Sequence, residues 1–270
     1  MQTAPIYGYE FTRSFTLEGM KFDPAFDHPI QAKAAARDNG RRNLTGVIRS
    51  DYFNKEMLFE LEAILAFIEH LDVVIGLPTT ERNQPRCELE IWPRSNGGGA
   101  ILLPDYFCGD RVKFITSALR LLQDPTQKHF RQLLFKCVET FRQRKPFIEI
   151  SWFLLFSGLE SYCRAIQNDF TKPAAEVMAK ALKSIGFNVY QDNINEIRRS
   201  LATYTKIRNS LFHNGDPEPI ANVNGLQIKL SCGDYYFNLS ALVSLTILKA
   251  VNLDNGRINW DSWIDRQLHI

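Results

Sequence analysis

Residues 206–215 read Lys-Ile-Arg-Asn-Ser-Leu-Phe-His-Asn-Gly, and an apolar repeat that leads into them decides how the second half of the chain folds. The repeat has the three- and four-residue spacing of one helix face and consists of Ile194, Ile197, Leu201 and Tyr204. Arg208 takes the next position of the repeat, where a buried charge needs a partner or a wet cleft. Gly215 is typical of a helix end. We therefore expect a helix that is capped by Asp192 or Asn193 and ends in this stretch.

The polar residues of this stretch are types that act on phosphate groups. Arginine offers a planar, permanently charged fork to phosphate oxygens, and histidine exchanges protons near neutral pH. Asn209 and His213 are four residues apart, so both lie on one side of a helical turn. The pattern indicates a phosphate-directed site at the end of the helix. A structural alternative stays open, in which Arg208 forms an internal ion pair and His213 caps the free carbonyls.

Further helical patterns surround this helix in the second half and cover residues 130–142, 148–166, 173–185 and 239–251. The pattern over 148–166 is apolar nearly all round, which is typical of a helix in the middle of a bundle. This helix carries Glu160, which can pair either with Arg208 or with Arg164, four residues on. Alternating residues at 226–230, a turn at 232–234 and a returning strand at 235–238 predict a small hairpin inserted in the bundle.

The first half alternates between strand and helix patterns. Period-two alternation predicts strands at 7–17, 44–49, 87–91 and 100–103, and the three glycines at 97–99 predict a hairpin turn. Helical spacing covers 53–71 and 111–122, whereas 19–43 is predicted to be irregular. A break at 123–126 sets the domain boundary. The fold class is therefore α+β, with a strand-rich mixed domain over 1–125 and an all-α bundle with a small hairpin over 126–270.

Composition sets limits on function. The chain has 270 residues, 45% of them hydrophobic, which is ample for a core and excludes wholesale disorder. A net charge of +2 means that nucleic acid would have to bind through a local patch. The 5 cysteines are widely spaced, which favours reduced thiols over a zinc site. No segment has the features of a secretion signal or a membrane span, so we expect a cytoplasmic protein that contacts no membrane and needs no cofactor or metal.

The second half resembles the HEPN superfamily and, within it, the ApeA-like branch from phage-defence loci. Three features carry the resemblance: the pattern Arg208-Asn209-x-x-x-His213 followed by Gly215, the helical frame that ends in it, and Glu160 on the preceding buried helix. The resemblance covers roughly residues 128–255. It does not reach the N-terminal domain, for which a recognition or regulatory role is expected from position alone.

The resemblance implies a metal-independent endoribonuclease that acts as a toxin or phage-defence effector. The site residues would be Arg208, Asn209, His213 and Glu160, and the attacking group would be the 2′-hydroxyl of the RNA itself. One histidine per chain is short of an acid and a base, so a homodimer in which two motifs face each other is expected. An antitoxin or another defence-system subunit is a possible partner. The alternative function is a non-catalytic HEPN-type module that binds RNA or protein, or only dimerises.

Overall fold

The computed structural model describes residues 1–38, 41–80, 88–89, 99–104, 109–142, 147–223 and 225–265. The chain forms two compact units, one of Met1–Thr126 with Phe141–Lys145 and one of Gln127–Thr140 with Pro146–Ile270. An antiparallel sheet comes first and a helical region follows, which confirms the predicted α+β class. In the described ranges, no helix is long and apolar enough to cross a bilayer.

The N-terminal unit is built on an antiparallel sheet. Its strands are β1 (Gln2–Tyr7), β2 (Phe15–Leu17), β3 (Met20–Pro24), β4 (Arg42–Ser50), β5 (Val74–Ile75), β6 (Thr79–Thr80) and β7 (Glu88–Leu89). Strands β2, β3, β4, β1 and β5 follow one another across the sheet, while β6 pairs with β1 and β7 with β4. Its helices are α1 (Pro29–Ala36), α2 (Lys55–Glu69) and α3 (Asp110–Gln123). The predicted strand at 44–49 and the helices at 53–71 and 111–122 are confirmed as β4, α2 and α3.

Other predictions in this unit are wrong. The strand predicted at 7–17 is interrupted, because the backbone between β1 and β2 bonds to side chains: Tyr9 N–H donates to Thr45 Oγ1 (3.1 Å) and Glu10 N–H to Glu69 Oε1 (3.0 Å). Buried aromatic rings in this loop imitate strand alternation. The region 19–43 holds β3 and α1 rather than irregular chain, and 100–103 is not a strand. Only β7 is described within the predicted strand 87–91, and most of the glycine turn at 97–99 lies outside the described residues.

The C-terminal unit is helical. Its elements are α4 (Lys128–Arg142, whose last two residues belong to the N-terminal unit), α5 (Ile148–Gln167), α6 (Ala174–Ser184), α7 (Leu201–Asn214), β8 (Ile220–Val223), β9 (Leu226–Lys229), α8 (Cys232–Ala250) and α9 (Ser262–Asp265). Helix α5 packs against α6, α7 and α8, and Trp152, Leu155 and Leu159 on it are fully buried. Helix α5 is therefore buried in the bundle along one of its faces, as predicted. Another of its faces is exposed to solvent.

The inserted hairpin is present, and the strand predicted at 226–230 is confirmed as β9, but its partner is β8 rather than the segment predicted. Strands β8 and β9 pair antiparallel, from Ile220 opposite Lys229 to Val223 opposite Leu226. The second predicted strand, at 235–238, is wrong because these residues lie in α8. That helix starts at Cys232, where the Ser231 hydroxyl accepts a hydrogen bond from Gly233 N–H (3.3 Å) and caps the first turn.

Candidate functional site

Helix α7 starts later than its apolar repeat predicts. Ser200 precedes it in an extended conformation, and its hydroxyl bonds to the backbone of Asn193 (2.6 and 3.0 Å) instead of to the helix. The first N–H groups of α7 donate to the carbonyls of Tyr190 and Gln191 (both 2.9 Å). The helix predicted from Asp192 or Asn193 is therefore wrong at its start. These tertiary bonds satisfy donors that a continuous helix would have satisfied locally.

The buried face of α7 consists of Leu201, Tyr204, Ile207 and Leu211. The sequence predicted that Arg208 lies in this buried face, and this prediction is wrong. Ile207 takes that place instead. Both residues fit the spacing from Tyr204, and in the structure Ile207 is the one that is fully buried. Tyr204 fixes the helix by donating its hydroxyl to the Arg198 carbonyl (2.7 Å), and burial raises the pKa of this tyrosine.

Arg208 lies at the edge of the buried face, half-exposed. Its guanidinium carbon is 5.8 Å from the centroid of the Phe156 ring on α5, which is cation–π distance, and one of its N–H groups donates to Asn209 Oδ1 (2.8 Å). In the described part of the chain, Arg208 has no carboxylate within ion-pair distance. Its charge is therefore available to an external anion, and its position is set by an aromatic ring and a neutral amide.

The C-terminal end of α7 is where the sequence predicts it. Gly215 adopts a left-handed conformation (φ 66°) and donates its N–H to the Leu211 carbonyl (3.1 Å), while Asp216 N–H reaches back to the Ser210 carbonyl (3.3 Å). This pattern of bonds closes the last turn. His213 is therefore presented in the final turn of the helix, where its side chain is exposed to solvent.

An open groove of about 620 Å³ runs along α7 within the C-terminal unit. Seven polar residues line it: six belong to α7, namely Thr205, Lys206, Asn209, Ser210, His213 and Asn214, and the seventh is Asp216, just beyond the helix end. Ala175 at the start of α6 and Ile220 at the start of β8 also line it. Asn209 and His213 thus share one side of the helix, as their spacing predicts. Arg208 lies beside the groove and is joined to it through Asn209.

Glu160 does not pair with Arg208. Its carboxylate accepts hydrogen bonds from Nε (2.9 Å) and a terminal nitrogen (2.8 Å) of Arg164 on the same helix, which is the second of the two pairings that the sequence left open. Arg164 in turn donates to the carbonyls of Asp169 and Lys172 (3.3 and 3.1 Å). These bonds give Glu160 a local role in ending α5. Within one chain, the structure brings together Arg208, Asn209 and His213 but leaves Glu160 outside the group.

An exposed apolar stripe lies beside the motif. Phe147, which immediately precedes α5, and Ile150 and Phe153 on α5 follow one another at three-residue intervals and are 59%, 51% and 42% exposed. Phe212 on α7 is 44% exposed, and its ring centroid is 4.8 Å from that of Phe153. Phe212 is one helical turn beyond Arg208. Large apolar side chains grouped in this way are typical of a protein contact surface.

Sequence reasoning missed Lys206 and Asp216 as residues of the groove. Lys206 is three residues before Asn209 and seven before His213, so helical periodicity was sufficient to place it on the same side. Helical periodicity could not place Asp216 in the groove, because this residue follows the end of α7. The chain turns after Gly215 and so brings Asp216 beside Ser210.

The described residues show no cluster suited to a metal. Within the described ranges, no group of three or more His, Cys, Asp or Glu side chains is placed to hold a metal ion. Cys137, Cys163 and Cys232 are free and buried. Burial raises the pKa of Cys137 to about 12 and also raises that of Cys163, so both thiols stay protonated and unreactive at neutral pH.

The chain was compared with profiles of known protein families, with functionally characterised proteins and with solved structures, and none of them matches it.

Proposed function

We propose that the end of α7 is the catalytic edge of a metal-independent endoribonuclease of HEPN type, which acts as a homodimer. One observation supports this most: Arg208, Asn209 and His213 end one helix beside an open groove, and the arginine is bound to an amide and an aromatic ring rather than to a carboxylate. An arginine held in this way has its remaining guanidinium N–H groups available to donate to a phosphate.

The chemistry follows from the residue types. The 2′-oxygen of RNA attacks the adjacent phosphorus and the bond to the 5′-oxygen breaks, which leaves a 2′,3′-cyclic phosphate and a 5′-hydroxyl. A neutral His213 takes the proton of the 2′-hydroxyl, and a protonated His213 of a second copy gives one to the leaving 5′-oxygen. Arg208 stabilises the charge that develops on the phosphate oxygens, and Asn209 N–H groups donate to the same oxygens.

The exposed apolar stripe supports a second copy of the chain as the partner. A copy that covers Phe147, Ile150, Phe153 and Phe212 would bury the part of each ring that is still exposed, roughly half of the about 150–250 Å² that an aromatic side chain can bury. Because Phe212 is one turn from Arg208, covering the stripe also brings a second motif close to the first. A role as toxin or phage-defence effector, with an antitoxin or defence subunit as a further partner, belongs to this proposal through the family resemblance.

A non-catalytic HEPN-type module is the second candidate. It is favoured by the exposed ring of His213, which has no orienting hydrogen-bond partner in the described part of the chain, and by the pairing of Glu160 with Arg164. Such a module would bind RNA or protein, or dimerise, without cutting.

The two candidates are separated by incubating the purified protein with labelled RNA in excess chelator. The ribonuclease proposal predicts cleavage with 2′,3′-cyclic phosphate ends, and a loss of about 10²–10⁴-fold in rate for His213→Ala, the usual contribution of a general acid or base. Arg208→Ala should lose activity as well, whereas Arg120→Ala, an exposed arginine of α3, serves as the matched control. Full cleavage by both motif variants would exclude this site, and binding without cleavage by the unmodified protein would favour the module.

A further inference from the structure

The groove beside α7 carries an ammonium, on Lys206, and an anchored carboxylate, on Asp216. Lys206 lines it and forms no ion pair with any described residue. Asp216 also lines it, and its carboxylate is anchored at both oxygens: Oδ1 accepts from Glu218 N–H (2.9 Å) and Oδ2 from the Ser210 hydroxyl (3.3 Å). An ionised carboxylate has about four lone-pair sites, so about two remain for a ligand. Asp216 is exposed, which leaves those sites accessible.

Lys206 and the point where Asp216 is anchored are about one helical turn apart along α7. Lys206 and Ser210 are four residues apart on α7, a rise of about 6 Å, and Asp216 is held at Ser210. Asn209 and His213 line the same wall. A ligand that fits this arrangement has an anionic group for Lys206 and hydrogen-bond donors for Asp216. A nucleotide has both when the edge of its base carries N–H groups.

We infer that the groove binds one unpaired nucleotide of the RNA and that Asp216 selects guanine. The inference rests on the proposed ribonuclease function and adds a base preference and two residues, Lys206 and Asp216, to it. Guanine has the N1–H and N2–H donors side by side on its Watson–Crick edge, and the two oxygens of a carboxylate accept both. Adenine, cytosine and uracil each place an acceptor next to their donor, which a carboxylate repels.

The size of the groove agrees with this assignment. The groove volume of about 620 Å³ lies within the range of roughly 300–1,000 Å³ that is usual for small-ligand sites. The Watson–Crick edge of a base is free only when the base is unpaired, so the groove selects single-stranded RNA. Lys206 binds the phosphate as a positioning residue, next to the motif that cuts it.

The test uses 2′-O-methyl oligonucleotides, which lack the nucleophile and are not cut. Fluorescence anisotropy gives the Kd of the whole protein for an all-uridine strand and for the same strand with one central guanosine. The guanosine strand should bind about tenfold or more tightly, the usual discrimination of a bidentate base contact. Asp216→Asn replaces one acceptor by an N–H donor and should abolish this preference without weakening the all-uridine strand.

Lys206→Ala tests the phosphate end of the groove. It should weaken binding of both strands equally. The slope of log K against the logarithm of the salt concentration should become less steep by about 0.7, the value for one phosphate contact on a single strand. Lys180→Ala, an exposed lysine on α6, is the matched control and should change neither.

The inference is overturned if the unmodified protein shows no guanosine preference or if Asp216→Asn retains it. A second measurement needs no variant: GMP should displace the guanosine strand at least about tenfold better than AMP or UMP, and equal displacement also overturns it. If RNA is cut without guanine preference, this inference fails and the ribonuclease stands. If guanine preference depends on Asp216 but RNA is not cut, the groove is a guanine-nucleotide site and the ribonuclease proposal fails.

Discussion

Replacing Arg111 by methionine should destabilise the N-terminal unit more than any exposed substitution. Arg111 is 2% exposed, and its guanidinium donates to Glu69 Oε1 (2.6 Å), to the Glu10 carbonyl (2.9 Å) and to the Leu102 carbonyl (2.8 Å). Glu69 is fully buried, and Arg37 donates to its other oxygen (2.7 Å). Methionine keeps the apolar stem but removes the donors: the Glu10 and Leu102 carbonyls lose their bonds to Arg111, and Glu69 Oε1 keeps the bond from Glu10 N–H but loses its charged partner.

The expected cost is about 3 kcal/mol in the free energy of unfolding. Removing one partner of a buried ion pair costs about 3–5 kcal/mol, because the remaining charge is left uncompensated. We take the lower end of this range because Arg37 still neutralises part of the Glu69 charge. Arg120→Met, an exposed change on the same helix, should stay within about 0.5 kcal/mol of the unmodified protein.

Hydrogen exchange followed by mass spectrometry resolves the effect unit by unit. A loss of about 3 kcal/mol should speed exchange roughly a hundredfold in peptides of β4 and α2, since every 1.4 kcal/mol is a factor of ten. Peptides of α8 in the other unit provide an internal reference. The reasoning about the buried network is refuted if β4 and α2 exchange at the same rate in Arg111→Met and Arg120→Met.

Three further outcomes are expected. Burial and then Glu69 raise the pKa of Glu10 above its ordinary 4.5, so the stability that this group contributes is present below pH 4.5 and is lost as the pH rises through the folded pKa. In urea unfolding at several pH values, the free energy of unfolding of Glu10→Gln should therefore increase relative to that of the unmodified protein as the pH rises above 4.5. Gly215→Ala should cost about 1–2 kcal/mol in thermal unfolding, because its φ is 66° while no atom lies within 4 Å of the added carbon, and an unchanged melting temperature contradicts this. Phe212→Asp should weaken self-association at least tenfold in sedimentation experiments, whereas an unchanged Kd shows that the stripe is not the dimer contact.

Long periodic segments were predictable from the sequence. The spacing of apolar residues identified α2, α3, α4 and α5, because each of these helices buries one face along most of its length. Pro173 and Gly186 predicted the two ends of α6. The end of α7 was predictable because glycine is favoured in the left-handed conformation that Gly215 adopts. Local signals of this kind do not depend on the rest of the fold.

Predictions failed where distant parts of the chain satisfy the backbone. The loop after β1 alternates like a strand, yet Thr45 and Glu69 accept its N–H groups. The start of α7 is set by carbonyls of Tyr190 and Gln191, which no local pattern reveals. In α8, residues 235–238 were assigned to a strand because Cys232-Gly233-Asp234 was interpreted as a turn, whereas these three residues form the first turn of the helix, capped by Ser231.

The candidate site was partly predictable. Spacing placed Asn209 and His213 on one side of α7 and would have added Lys206. The pairing of Glu160 remained open, because two arginines were within reach and only the structure decides between them. Asp216 was out of reach of sequence reasoning, since it enters the groove through the turn that follows Gly215.

The most direct test of the composite ribonuclease site is the cleavage rate of a dimer that carries His213→Ala in one copy only. Two differently tagged chains are co-expressed, and the mixed dimer is isolated over both tags and assayed on labelled RNA in chelator. If acid and base come from the two copies, one substitution lowers the rate by about 10²–10⁴-fold, as in the doubly substituted dimer. A rate of one half of that of the unmodified dimer would contradict the composite site, because each chain would then carry a complete site of its own.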